Sequence, residues 1–213
     1  MNKYLEEFLG LNCAGDVLNV VSPVARFEKE ITEAMAIVKQ VKKIVFADRS
    51  KNYTVVDLCA GNALASVIIA HLLPVQGVLA VDRKKRDRLW EAVRGFVYEN
   101  ADISDDWLSI ILATPPYQYI IISSHPCQMA HPIVDIFNKH DYIRHLVLMP
   151  CCHGKRRNKI PQGVVSKLGK YLTWAYDISL SAKGDFIIDK NCISPCNAVV
   201  IASKKDVYDK NKI

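Results

Sequence analysis

The sequence predicts an α/β fold: a mostly parallel seven-stranded sheet, helices on both faces, and a last strand that runs the other way. Three observations predict it. Short β-branched runs alternate with helical stripes from residue 53 onward. The final two runs, "GDFIID" and "NAVVIAS", are joined by "KNCISPC", which is too short for a helical crossover, so they form an antiparallel hairpin. Acids end or follow the first three strands, at the edge where open α/β sheets bind ligands.

Taken in order, residues 1–21 give no clear pattern. Ser22 reads as a helix N-cap with Pro23 in the first turn. Phe27, Ile31, Ala34, Met35, Val38, Val41 and Val45 then follow at helical spacing and make one long amphipathic helix. "YTVVDLCAG" is the first strand and its turn, and "ALASVIIAHLL" is a buried helix closed by Pro74. "GVLAVD" is the second strand. "KKRDRLWEAVR" reads as a helix with Leu89 and Val93 inward and Gly95 at its end. "FVYEN" is the third strand and "YQYIIISS" the fourth. A rival reading takes "LSIILATPPYQ" as the fourth, with "TPPY" resembling the loop by which amino-group methyltransferases hold their target nitrogen, although Thr114 lacks the amide or acid of that loop. Only the later run puts His125 and Cys127 at a carboxyl end. "QMAHPIVDIFNKH" is a helix that Pro132 kinks or starts, and "RHLVLMP" is the fifth strand. "GVVSKLGKYLTWAY" carries a helical stripe through Val164, Leu168, Tyr171, Leu172 and Ala175 before the closing hairpin. Residues 1–213 read as one domain, with 1–50 as a helical extension within it.

Bulk properties exclude some classes. No apolar run reaches the roughly 18 residues that a membrane helix needs. The start, "MNKYLEEFLG", lacks a basic segment followed by a long apolar one, so neither a secretory signal nor a membrane partner is expected, and the expected location is cytoplasmic. The net charge of +6 is concentrated at "RKKRDR" (83–88) and "KRRNK" (155–159). Such clusters attract phosphates or simply face solvent. Seven cysteines, unevenly spaced, read in a reducing compartment as thiols or metal ligands rather than disulfides. Nothing in the sequence fixes the oligomeric state.

The first strand–turn–helix, "VVDLCAGNALAS", supplies the small residues that a close backbone approach favours: Cys59, Ala60, Gly61 and Ala63. Asp57 ends the first strand. Asp82 ends the second, 21 residues after Gly61, where an acid accepts hydrogen bonds from ribose hydroxyls. Asp102 follows the third and is placed to bond an adenine amino group while Ile103 packs on the ring.

On these residues the chain resembles the Rossmann-like class I S-adenosylmethionine-dependent methyltransferases over roughly residues 22–203. The resemblance implies S-adenosylmethionine as cofactor. It implies that "VVDLCAGNA", with Asp57, Cys59, Ala60, Gly61 and Asn62, holds the methionine part. Asp82 with Arg83 would take the ribose, Asp102–Ile103 the adenine, and Ser124 would lie at the fourth strand's end. Cys59 and Ala63 stand where two glycines are common. "IISSHPCQMAHPIV", "LVLMPCCHGK" and "ISPCNAVVIAS" are similar to a narrower subgroup, which includes tRNA acceptor-stem 2′-O-methyltransferases and methyltransferase-like proteins. Gln128 replaces a glycine of that pattern, and the tRNA enzymes' zinc-finger modules have no counterpart. The subgroup resemblance, despite these two departures, implies RNA (tRNA) as the acceptor. A small molecule, a protein, or donor binding without catalysis are the alternatives.

His125 and His153 are the base candidates by position. Cys151, Cys152, Lys155 and Arg156 are expected at the acceptor. The topology brings six of the seven cysteines to the ligand edge, with only Cys13 outside. A polarizable pocket lining is the favoured reading, and no metal is assigned. Two alternatives stay open. One is zinc on Cys151, Cys152 or His153 with Cys192 or Cys196; the other is a thiolate nucleophile beside Lys155 or His153.

Overall fold

The computed structural model describes residues 2–84, 86–103 and 118–204. Its sheet has the strands β1 (Tyr53–Leu58), β2 (Gly77–Asp82), β3 (Phe96–Asn100), β4 (Gln118–Ser124), β5 (Ile143–Met149), β6 (Asp185–Ile188) and β7 (Ala198–Ser203), in the order β3-β2-β1-β4-β5-β7-β6. β1 pairs in parallel with β2 and β4, β2 with β3, and β4 with β5. β7 runs antiparallel to both β5 and β6. The fold is the one expected, and β4 is the later of the two candidate runs. "TPPY" lies outside the described residues.

Period-two alternation divides the core between the two faces. Val55, Ile120, Ile122 and Val147 pack with α1 (Lys3–Leu9), α2 (Ala14–Val21), α3 (Phe27–Ala47) and α4 (Leu64–Leu72). Val56, Leu58, Ile121, Leu146 and Leu148 pack with α5 (Ala130–Lys139) and α6 (Gln162–Ser181). The stretch 1–21, unreadable in sequence, thus forms two short helices whose Tyr4, Phe8 and Val17 are fully enclosed.

Three local expectations are corrected. Ser22 does not cap α3: its N–H bonds Leu18 O at 3.0 Å and closes α2. A residue before proline is driven out of the helical region, and Ser22 is extended (φ −67°, ψ 148°). Arg26, with φ 54°, precedes α3 instead.

The segment around Trp90 forms no amphipathic helix among its described residues, of which only Trp90–Ala92 make a single 3₁₀ turn. Its side chains are engaged elsewhere. Arg88 Nε bonds Val21 O at 2.9 Å, and Trp90 stacks on Tyr98 at 4.7 Å. Leu89 is exposed, whereas Val93 is buried as expected.

The stripe through Val164 is interrupted at Gly169 (φ 70°, ψ 176°), so α6 is two helical pieces. Its second piece supplies the buried Trp174 and Ile178.

Candidate active site

The carboxyl ends of β1, β2, β4 and β5 open onto one edge. The turn after β1 holds three left-handed residues in five: Cys59 (φ 62°), Gly61 (φ 57°) and Ala63 (φ 50°). Glycine accepts that region freely; a side chain there costs about 1–2 kcal/mol. The sharp turn is therefore kept although two of its three left-handed positions carry side chains. It is held from several directions. Ala60 N bonds Val81 O at 3.0 Å, Tyr98 Oη donates to Gly61 O at 3.1 Å, and Asn62 Nδ2 donates to Glu30 Oε2 at 3.2 Å.

Two adjoining cavities share Cys59 and Asp82. The first, about 320 Å³, is lined by Ala60, Gly61, Asn62, Ser124 and His125, and by Lys29 and Glu33 from α3. The second, about 420 Å³, is lined by Arg83, Asp102, Ile103, Cys127 and Gln128. Each has the volume of a small-ligand pocket. Asp82 sits at their junction. Its Oδ2 accepts from Gly61 N at 2.8 Å and its Oδ1 from Lys84 N at 2.7 Å. A carboxylate offers about four lone-pair positions, so among the described residues two are left for a ligand.

Nine of the ten expected cofactor residues line these cavities. Asp57 lies beneath them instead, only 2% exposed, with Ser66 Oγ donating to its Oδ2 at 2.5 Å. Burial, aided by the nearby Asp82 carboxylate and opposed by Ser66, pushes the Asp57 carboxyl up to about 7.

The two histidine candidates are separated. His125 lines the first cavity, and its Nε2 lies 2.7 Å from Glu33 Oε2. His153 is exposed in a third cavity of about 840 Å³, with Lys155, Arg156 and Arg157, which meets the second at Gln128. Glu33 escaped sequence reasoning. It is 2% exposed and also pairs with Lys29 Nζ at 2.8 Å. Burial raises its pKa, but hydrogen bonds from His125 and Lys29 outweigh it and hold the carboxyl below its ordinary value. Its signal was present: Glu33 is the one charge between Ile31 and Val38.

The wall beyond β5 is pinned by Asp177 of α6. This enclosed carboxylate accepts from Arg157 N at 3.1 Å, Asn158 N at 2.8 Å and Asn158 Nδ2 at 3.1 Å, and faces His131 Nε2 at 3.0 Å. Arg157 also holds Asp135 through two contacts, at 2.5 and 2.9 Å.

The cysteines at this edge divide. Cys127, Cys151 and Cys152 converge, with sulfurs within 4.8 Å of one another. Cys196 Sγ turns to Cys151 O at 2.9 Å, and Cys192 Sγ lies against Thr32 O of α3 at 3.5 Å. Burial, reinforced by the neighbouring Cys127, pushes the Cys151 and Cys152 thiols up, which disfavours a free thiolate nucleophile.

A protein-family model described as a methyltransferase domain matches residues 27–159. No curated protein sequence matches. Among solved structures, the chain is similar to magnesium protoporphyrin IX methyltransferase from Synechocystis PCC 6803 with bound SAH, at 10% identity and a TM-score of 0.50, covering 94% of this chain and 98% of that one. An O-methyltransferase family protein from Burkholderia thailandensis matches at 11% identity and 0.46, over 97% and 71%. The 23S rRNA methyltransferase ErmE matches at 14% and 0.45, over 79% and 68%. No helix among the described residues is long and apolar enough to cross a membrane.

Proposed function

This chain belongs to the methyltransferase-domain family and is an S-adenosylmethionine-dependent methyltransferase, and from that premise we propose that its acceptor is RNA, with tRNA the first candidate. The observation that carries the proposal is the basic third cavity. His153, Lys155 and Arg156 line an open hollow that adjoins the donor crevice at Gln128. Exposed cations beside a ligand crevice suit a phosphodiester backbone, which they would hold while a nucleotide enters.

The paired cavities fit the donor. We assign Asp82, with its two spare lone pairs, to the ribose hydroxyls. Asp102 and Ile103 take the adenine. Cys59 through Asn62 and Ser124 border the methionine part. S-adenosylmethionine supplies an electrophilic methyl group on sulfur. The protein's own contribution is alignment of the acceptor and exclusion of water. His125 is the residue we assign to accept a proton from an acceptor hydroxyl. Glu33 fixes its ring at the cavity wall through Nε2, while Nδ1 is enclosed. His153, in the third cavity, is assigned to hold substrate.

The test is transfer of labelled methyl from the donor to cell extract by the purified full-length protein. Label should enter the RNA fraction and vanish when the extract is first treated with nuclease. Label that survives nuclease and disappears with protease, or that resides in small molecules, would sink the RNA assignment.

A further inference from the structure

We propose that Cys127, Cys151 and Cys152 bind one zinc ion, with the fourth position of its tetrahedron open at the rim of the donor crevice. The sheet register gathers these thiols. Ser124 of β4 pairs with Met149 of β5, so the residues just beyond each strand meet. The three sulfurs lie within 4.8 Å of one another, with Cys127 and Cys151 3.2 Å apart. Zinc–sulfur bonds of about 2.3 Å make a tetrahedral edge of roughly 3.8 Å, so small side-chain rotations convert the observed cluster into a ligand set.

The backbone around the cluster is held for this arrangement. Cys127 carries φ 50°, a left-handed strain that persists only where the surroundings impose it. Tyr171 Oη donates to Pro150 O at 3.0 Å and itself accepts from Ala198 N at 2.9 Å, which clamps the start of the Cys151–Cys152 loop to β7.

The ligand chemistry selects the ion. Three thiols without a carboxylate suit soft or borderline ions and disfavour magnesium or calcium. Cys196 and Cys192 engage backbone carbonyls, of Cys151 and Thr32, and neither sulfur is among the three that converge. The fourth position is therefore left to water or an incoming ligand, as in three-ligand zinc sites. Cys127 is exposed, giving an entry path, and it lines the cavity of Asp102 and Ile103. Binding releases the three thiol protons to solvent. Three thiolates on a divalent ion leave one excess negative charge, and Lys155 and Arg156 follow in the same loop.

The ion set differs from the sequence-based alternative. Cys127 enters it, while His153, Cys192 and Cys196 do not.

The reduced full-length protein, loaded with zinc and dialysed, should retain about one ion per chain by elemental analysis. Cobalt in its place should give a thiolate-to-metal charge-transfer band. Cys127→Ser and Cys151→Ser should each reduce that band by about a third or more and weaken zinc binding by about 10-fold or more, while Cys13→Ser changes neither. If a serine variant fails to fold, alkylation of the wild type mapped by mass spectrometry serves instead: zinc should protect Cys127, Cys151 and Cys152. A wild type with no cobalt–thiolate band, zinc retained after both replacements, or no protection of these three thiols overturns the proposal. Donor affinity measured by calorimetry on the same samples reports the methyl-transfer site separately, so failure of one reading is distinguishable from failure of the other.

Discussion

His125 Nε2 meets Glu33 Oε2 at 2.7 Å, and the ring's other nitrogen has no hydrogen-bond partner among the described residues. Glu33 is held in the charged form by His125 and Lys29 despite its burial. The pair thus fixes the ring at the cavity wall through one nitrogen, while the other is enclosed. His125→Gln should lower kcat by roughly 100-fold or more, within the usual range for a lost general base. Glu33→Gln should lower kcat about 10-fold with a smaller change in KM for the donor, because it acts through the ring's position. Steady-state kinetics on both variants check this; unchanged kcat in His125→Gln removes that residue as the base.

Asp82 joins the two cavities and orders Gly61 and Lys84 through its two oxygens. Asp82→Ala removes a charged acceptor from the ribose position and should weaken donor binding by about 10- to 100-fold, the equivalent of one charged hydrogen bond. Calorimetry with S-adenosylmethionine measures it. A loss under twofold would remove Asp82 from the donor site.

Asp57 couples pH to stability. Burial raises its folded pKa to about 7 from an ordinary 3.8. The folded state then binds the proton more tightly than the unfolded one, so its contribution is complete below about 3.8 and lost as pH rises through about 7. Asp57→Asn keeps the shape without the titration. Relative to wild type, the variant should gain stability as pH is raised from about 5 to about 8, read as urea midpoints. Parallel curves for the two proteins would contradict the assignment.

Gly184 precedes β6 where the backbone of β7 passes closely. A Cβ there would lie 2.3 Å from Ile201 O and 2.7 Å from Ala202 Cβ. Gly184→Ala should destabilise by about 1–3 kcal/mol, lowering Tm by roughly 2–12 °C. A Tm within 1 °C of wild type would show that the hairpin shifts freely.

The sheet was legible because each strand is a short β-branched run bounded by turn residues, and β2 and β3 agree with the sequence reading to the residue. Asp82, Asp102 and Ile103 were placed at the ligand edge from their positions at or just beyond strand ends, and all three line the cavities there. The rest depends on contacts far apart in the chain. Helices α1 and α2 are short and packed by tertiary burial, so periodicity had too few turns to register. Arg88 and Trp90 reach across to Val21 and Tyr98, overriding the local helical pattern. Asp57 was read as a ligand contact, yet its side chain points to Ser66 inside the core. Cys127 joined Cys151 and Cys152 only through the register of β4 on β5, which sequence spacing does not encode.

The carboxylate of Asp177 is a single rivet through three parts of the molecule: the basic loop at Arg157 and Asn158, the helix that bears it, and His131 on the facing helix. Parts that share a fastener loosen together, and the Arg157–Asp135 pair is the loop's second tie to that facing helix. Any disturbance that withdraws this one group slackens the acceptor-facing rim and the helix pair behind it in the same event, so the shape of the outer wall is inherited from the integrity of the layer beneath.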